Sequence, residues 1–239
     1  MESLFLCLIG SLISILLVYI AFEINIKNIK TSINNKKIKE LVDKFPENEE
    51  ICRSILKMIK NENVKIKQNE NDKDKTSVYV VLTDTIFIAN IKDIHTRIQT
   101  IAHECIHSIQ SRKMLLFNFF YTNIYNLYFF VAIILTIFRI YKNYYIQIII
   151  LLLMGIVFFV VRSYLENDAM IKAKYLANEY MIKYNKENNI CTENQINEIT
   201  QEYDNLNKKG IPTYNFILFL KILSKIIIYL ITTIIVNLF

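Results

Sequence analysis

Four apolar runs long enough to cross a bilayer constrain this chain more than any other feature. A helix spanning the hydrocarbon core needs about 20 predominantly apolar residues. Residues 3–22 and 115–138 meet that length without an ionisable side chain, and 144–161 is a slightly shorter third run. The fourth, 215–239, carries Lys221 and Lys225 one turn apart near its start, and both are expected to snorkel to the interface. Only Glu2 precedes the first run, and no small-residue cleavage pattern follows it. An uncleaved anchor is therefore expected rather than a signal peptide.

Orientation follows from basic residues near the span ends. Lys27, Lys30, Lys36, Lys37 and Lys39 follow the first span, Arg112 and Lys113 precede the second, and Arg162, Lys172 and Lys174 follow the third. Lys208 and Lys209 stand before the fourth, whereas the other side has only Arg139 and Lys142. The basic side is predicted to be cytoplasmic, with both termini outside. The net charge of +6 then reads as topology and attraction to anionic lipid, with no nucleic-acid partner expected. An apolar fraction of 53%, three glycines and two prolines exclude a disordered or collagen-like chain. Four dispersed cysteines without a CxxC pair exclude a disulfide-stapled module and a multi-cysteine zinc fold.

The polar stretches carry the remaining structure. Ile38, Leu41, Val42 and Phe45 recur at helical spacing, as do Ile51, Ile55 and Ile59 after Pro46. Residues 68–76 (QNENDKDKT) read as a solvated loop. Residues 77–89 (SVYVVLTDTIFIA), β-branched and broken at Thr83-Asp84, predict a hairpin. Helical spacing returns near residue 96. After the third span, 163–185 reads as a helix, and Thr192-Glu193-Asn194-Gln195 fits a capping box opening another. That helix is expected to stop at Gly210-Ile211-Pro212. There is no internal repeat.

The chemistry concentrates in His103-Glu104-Cys105-Ile106-His107, an HExxH motif in a chain with only three histidines. Residues i and i+4 lie about 40° apart around a helix, so both imidazoles face one point and can bind one Zn²⁺. Glu104 lies about 100° further round, beside the metal, where it can act as general base toward a zinc-activated water. Ile98, Ile101, Cys105, Ile106 and Ile109 give the segment an apolar side. Cys105 itself reads as a small core residue.

Catalytic zinc needs a third protein ligand and an open position. His95 lies about 12 Å upstream along a helix axis and reads as a surface or capping residue. Glu166 is the stronger candidate, because two spans with a short connection return the chain to the side it left. Ala169, one turn on, would let helices approach closely. Asp168 lies two positions beyond Glu166, about 200° around an ideal helix, and so cannot share its ligand face. It is either a hydrogen-bond partner of a ligand histidine, if the backbone is irregular, or a carboxylate at a helix N-terminus. Asn118, Asn123 and Asn126 in the second span are expected to hydrogen-bond between helices rather than to hydrate a cavity beside the site.

Ala102 to Gln110 (AHECIHSIQ) resembles the A-H-E-x-G-H-A-I-Q signature of the YugP-like neutral zinc metallopeptidases of bacterial membranes. Glu166-Asn-Asp-Ala169 is similar to the E-F-D-A segment that follows a membrane hairpin in that family, and Thr213-Tyr214 to a recurring T-Y pair. Ile106 stands in place of the family's glycine and Ser108 in place of its alanine, and the family's aspartate-rich turn before the hairpin is absent. The resemblance implies a gluzincin-type peptidase, distantly like the HtpX and CAAX-prenyl proteases, with Glu166 as third ligand.

The expected fold is thus a mainly α integral membrane protein of the bacterial cell membrane. Four transmembrane helices would accompany a cytoplasmic zincin-like α+β catalytic region containing a small β-hairpin. Residues 1–24 form the anchor, 25–114 a cytoplasmic segment with the hairpin and HExxH helix, 115–162 a transmembrane hairpin, 163–210 cytoplasmic helices with the third ligand, and 211–239 the last span. The expected function is a membrane-bound zinc metalloendopeptidase cutting peptide or membrane-protein substrates at the cytoplasmic face. Its metal is held by His103, His107 and Glu166, with Glu104 as base and Asp168 behind the ligands. An exposed hairpin edge could pair with an extended substrate, and Tyr164 and Tyr175 lie within reach of the site by sequence. The alternative is a non-catalytic zinc-stabilised membrane scaffold. A site-two-type intramembrane protease would want an aspartate on another membrane helix, and spans two and three have none.

Overall fold

The computed structural model describes residues 2–21, 35–68, 76–140 and 143–238. It is mostly helical, with one small three-stranded sheet and four long apolar helices that could span a membrane. The elements are α1 (Glu2–Ala21), α2 (Lys36–Val42), α3 (Asn48–Met58), β1 (Lys65–Gln68), β2 (Val78–Val80), β3 (Thr85–Ile88), α4 (Arg97–Ile109), α5 (Arg112–Ile137), α6 (Tyr144–Asn188) and α7 (Glu193–Leu238). They form two compact units. One comprises Met1–Ile24, Phe117–Tyr164 and Pro212–Phe239, and the other Asn25–Leu116 and Leu165–Ile211.

In the second unit, β2 and β3 form an antiparallel hairpin with Val78 opposite Phe87 and Val80 opposite Thr85. Its turn places Asp84 at φ 50°, a left-handed conformation that aspartate tolerates better than most residues. A strand that the pattern did not predict, β1, runs parallel to β3, giving the order β1-β3-β2. Its sequence KIKQ offers only Ile66 to the core, too little alternation to read as a strand. Gln68, expected to open the polar loop, closes β1 instead, and residues 69–75 of that loop lie outside the described residues.

The core of this unit gathers Ile51, Cys52 and Ile55 from α3, Ile98, Ile101 and Cys105 from α4, and Ile86 and Ile88 from β3. Ala169, Ala173 and Ala177 of α6, four residues apart, are all fully buried. That spacing makes one small-residue stripe on which neighbours pack closely. The buried Arg97 guanidinium fixes the start of α4. It donates to the carbonyls of Val42 (2.9 Å), Phe45 (2.8 Å) and Pro46 (2.7 Å) and to Asn48 Oδ1 (2.9 Å). It thereby serves carbonyls at and beyond the end of α2 that no helical N–H can reach.

The capping box at the start of α7 is formed. Thr192 N–H donates to Gln195 Oε1 (2.9 Å), and Gln195 N–H donates to Thr192 Oγ1 (3.3 Å). The expected stop at Gly210-Ile211-Pro212 is not, because α7 continues through all three residues. A glycine terminator requires a left-handed residue, and Gly210 has no positive φ. Pro212 withholds one N–H from the Lys208 carbonyl, but Lys208 is exposed, so water can take that place. The third apolar run likewise continues without a break as α6 to Asn188.

The first unit packs Tyr125, Phe129 and Ala132 of α5 with Leu151 and Phe158 of α6 and Leu218, Ile222, Ile226, Tyr229 and Leu230 of α7. Gly155 permits the close α6–α7 contact, since a Cβ there would lie 2.5 Å from Ile222 Cγ2. Lys225 does not behave as a snorkelling side chain. Its Nζ donates to Asn126 Oδ1 (2.5 Å) and sits 3.8 Å from the Tyr125 ring centroid. Those groups turn it toward α5, with cation–π attraction supplementing the hydrogen bond. Asn126 therefore links helices as expected, whereas Asn123 bonds back to the Phe119 carbonyl of its own helix (2.8 Å).

Candidate metal centre

His103 and His107 lie on consecutive turns of α4, whose buried Ile98, Ala102 and Cys105 hold the opposite side of the helix in the core. Their Nε2 atoms are 3.0 Å apart, and their rings stand edge to face at 89°. Glu166 of α6 brings Oε2 to 3.4 Å from His103 Nε2 and 3.8 Å from His107 Nε2. The three side chains could hold a metal ion. Their side-chain exposures of 18%, 11% and 9% leave a partly open mouth. Among the described residues no other group of this kind occurs.

Glu104 is buried beside this cluster without joining it. Its Oε2 accepts the Tyr79 backbone N–H of β2 at 2.7 Å. Burial pushes its carboxyl above the ordinary range, while the two histidines and the Tyr79 N–H pull the other way. A divalent cation at the three donors would draw it down further. For His107, burial favours the neutral ring, but its contact with Glu166 and the nearby Glu104 outweigh burial and raise its pKa. Metal binding at these donors would have to compete with protons for the His107 ring.

The remaining candidates fall elsewhere. His95 is buried rather than on the surface, and its carbonyl accepts the Tyr203 hydroxyl at 3.1 Å. Cys105 is in the core as a free thiol, its Sγ 3.8 Å from that of Cys52. Tyr164 and Tyr175 are exposed. Asp168 fits neither expectation. It lies well inside α6, far from a helix N-terminus, and no hydrogen bond joins it directly to a histidine. It accepts from Gln110 Nε2 (2.9 Å) and pairs with Lys172 (2.7 Å). Burial opposes its charge, yet these two partners hold its carboxyl below the ordinary value.

Two residues at the site escaped the pattern reading. Gln110 Oε1 lies 2.8 Å from His107 Nδ1, a contact readable from its position three residues beyond His107. Tyr79 had no such signal, because its contact with Glu104 depends on how a distant hairpin packs on α4. Its hydroxyl donates to Asp84 Oδ1 at 2.8 Å, and burial together with that carboxylate raises the phenol to about 12. Comparison of the chain with family models, curated proteins and solved structures finds no match.

Proposed function

We propose that this protein is a membrane-bound zinc metalloendopeptidase that hydrolyses peptide bonds at the cytoplasmic membrane face. One observation carries the reading: two imidazoles and a carboxylate converge on one point while a second, non-ligating carboxylate stands beside them. Tetrahedral zinc with bonds of about 2.0–2.1 Å separates its donors by about 3.3 Å. The separations of 3.0, 3.4 and 3.8 Å bracket that spacing. Three ligands rather than four leave the open position that distinguishes catalytic from structural zinc. The likeness of residues 102–110 and 166–169 to the YugP-like signature supports the same donor set. The basic residues flanking the spans support the cytoplasmic side.

A zinc ion held by His103, His107 and Glu166 would supply Lewis acidity for the scissile carbonyl and for activating water. Glu104 removes the proton from the attacking water and delivers it to the leaving amine. The Tyr79 N–H fixes one of its oxygens, so the base does not have to be ordered during the reaction. Because that N–H faces Glu104 rather than β3, the Tyr79–Ile86 pair is of the non-hydrogen-bonded kind, and the Tyr79 carbonyl points outward too. β2 is an edge strand, so this carbonyl can receive an N–H of an extended substrate.

The test is Glu104→Gln in detergent-purified protein assayed against a peptide library. Retained zinc with cleavage reduced at least about 100-fold supports Glu104 as the base. Unchanged cleavage contradicts that role. Zinc-loaded wild type that cleaves nothing would favour the zinc-stabilised scaffold.

A further inference from the structure

We infer that Gln110 is the positioning residue that sets the tautomer of His107 and ties together the two helices bearing the metal donors. The inference rests on reading His103, His107 and Glu166 as those donors. Gln110 is the residue that ends α4. Its backbone is extended (φ −66°, ψ 162°), and its N–H reaches back to the Ile106 and His107 carbonyls. Its side chain is then free to turn across to α6.

A carboxamide carries an acceptor oxygen and a donor nitrogen, and which is which must be settled by its neighbours. Here they settle it. One end of the Gln110 amide lies 2.9 Å from the Leu165 carbonyl oxygen and 2.9 Å from Asp168 Oδ2. Both are acceptors only, so this end must be the NH₂, with one hydrogen directed to each. The oxygen therefore faces His107 Nδ1 at 2.8 Å. An oxygen there can only accept, so Nδ1 carries the proton and Nε2 presents its lone pair. That Nε2 is the nitrogen facing His103 and Glu166.

The chain of constraints thus starts at a helix carbonyl and the Asp168 carboxylate and ends at the nitrogen that would bind metal. Leu165 immediately precedes Glu166, so the same amide also holds the α6 backbone next to the third donor. Asp168 acts on the site through Gln110, which explains why its effect requires no contact with a ligand. Histidine ligands are commonly oriented by a hydrogen bond from their other nitrogen, and here an amide relays that orientation between two helices.

Selective ¹⁵N-histidine labelling gives a direct test, since the chain has only three histidines. In metal-free wild type at alkaline pH, His107 is expected to hold its proton on Nδ1. A proton on Nε2, or an even mixture, would overturn the inference without any variant being needed. Gln110→Met, which keeps the side-chain length and removes both polar ends, should weaken zinc binding about 10- to 100-fold. A change within twofold, in a variant that folds, would likewise overturn it. Gln110→Glu should be as damaging, because it sets an oxygen against Leu165 O and Asp168. Adding Asp168→Asn supplies a donor and should recover part of that loss, a non-additivity that general destabilisation would not produce. If wild type binds no zinc yet shows the Nδ1 proton, the positioning role stands and the zinc reading falls. If wild type binds zinc without the Nδ1 preference, the inference falls and the zinc reading stands.

Discussion

Leu153 and Ile182 lie on the same helix, α6, and both are exposed, at 58% and 38%, yet they belong to different units and face opposite rules. The unit containing Leu153 exposes large apolar side chains on every helix, among them Leu6, Leu16, Phe130 and Ile149. It buries polar ones, including Thr136, Gln147 and Thr233. The unit containing Ile182 gathers Ile51, Ile98, Ile101 and Tyr203 inward and surrounds them with lysine and glutamate. Apolar exposure is favourable where the solvent is hydrocarbon, and polar groups there need partners inside the protein. Composition averaged over the whole chain conceals this division. The difference also bears on where chemistry can be built: the His103, His107 and Glu166 group that could hold a metal lies in the water-facing unit.

Arg97→Met should have the largest effect, confined to the water-facing unit. It abandons the carbonyls of Phe45 and Pro46, each costing about 1–3 kcal/mol if buried without a partner, and that of Val42, which keeps the Phe45 N–H. A loss of about 3 kcal/mol or more in denaturant unfolding is expected. Next comes the paired test of the comparison itself. Leu153→Asp should cost about 2.5–3.5 kcal/mol in a membrane-insertion assay, while Ile182→Asp should stay within about 0.5 kcal/mol in unfolding. Equal effects would break the distinction between the units.

The third prediction concerns close packing in the lipid-facing unit. Gly155→Ala forces a Cβ toward Ile222 and should cost about 1–3 kcal/mol as overpacking, read as a lower midpoint for loss of helix–helix contacts in detergent. The smallest effect is on pH dependence. The raised pKa of His107 means that a proton competes with metal at a higher pH than at an ordinary histidine. Zinc affinity should therefore fall as pH drops through that pKa, by about tenfold per pH unit for each proton displaced. Titration calorimetry at several pH values checks this, and affinity that rises on acidification would contradict the sign.

Much of this arrangement was legible in the residues. The spans follow from run length, the hairpin from its β-branched alternation, and the His103–His107 pairing from i, i+4 spacing. Glu166 followed from topology, because α5 and α6 are joined by a short connection. What escaped depends on groups that no local pattern contains. β1 has a single inward residue and exists because β3 offers it a partner. Pro212 reads as a stop, but a helix whose orphaned carbonyl meets water can continue. Lys225 reads as a snorkelling lysine until Asn126 and Tyr125 are known to face it. At the site, Tyr79 and the two-step path from Asp168 through Gln110 required the tertiary packing of a hairpin and two helices.

Zinc per protein, measured in detergent-purified wild type beside Glu166→Ala, tests the proposed centre most directly. We expect about one equivalent in wild type, as for a single three-ligand site, and its loss or marked weakening in the variant. No bound zinc in wild type, or equal zinc in both proteins, would contradict a centre built from α4 and α6.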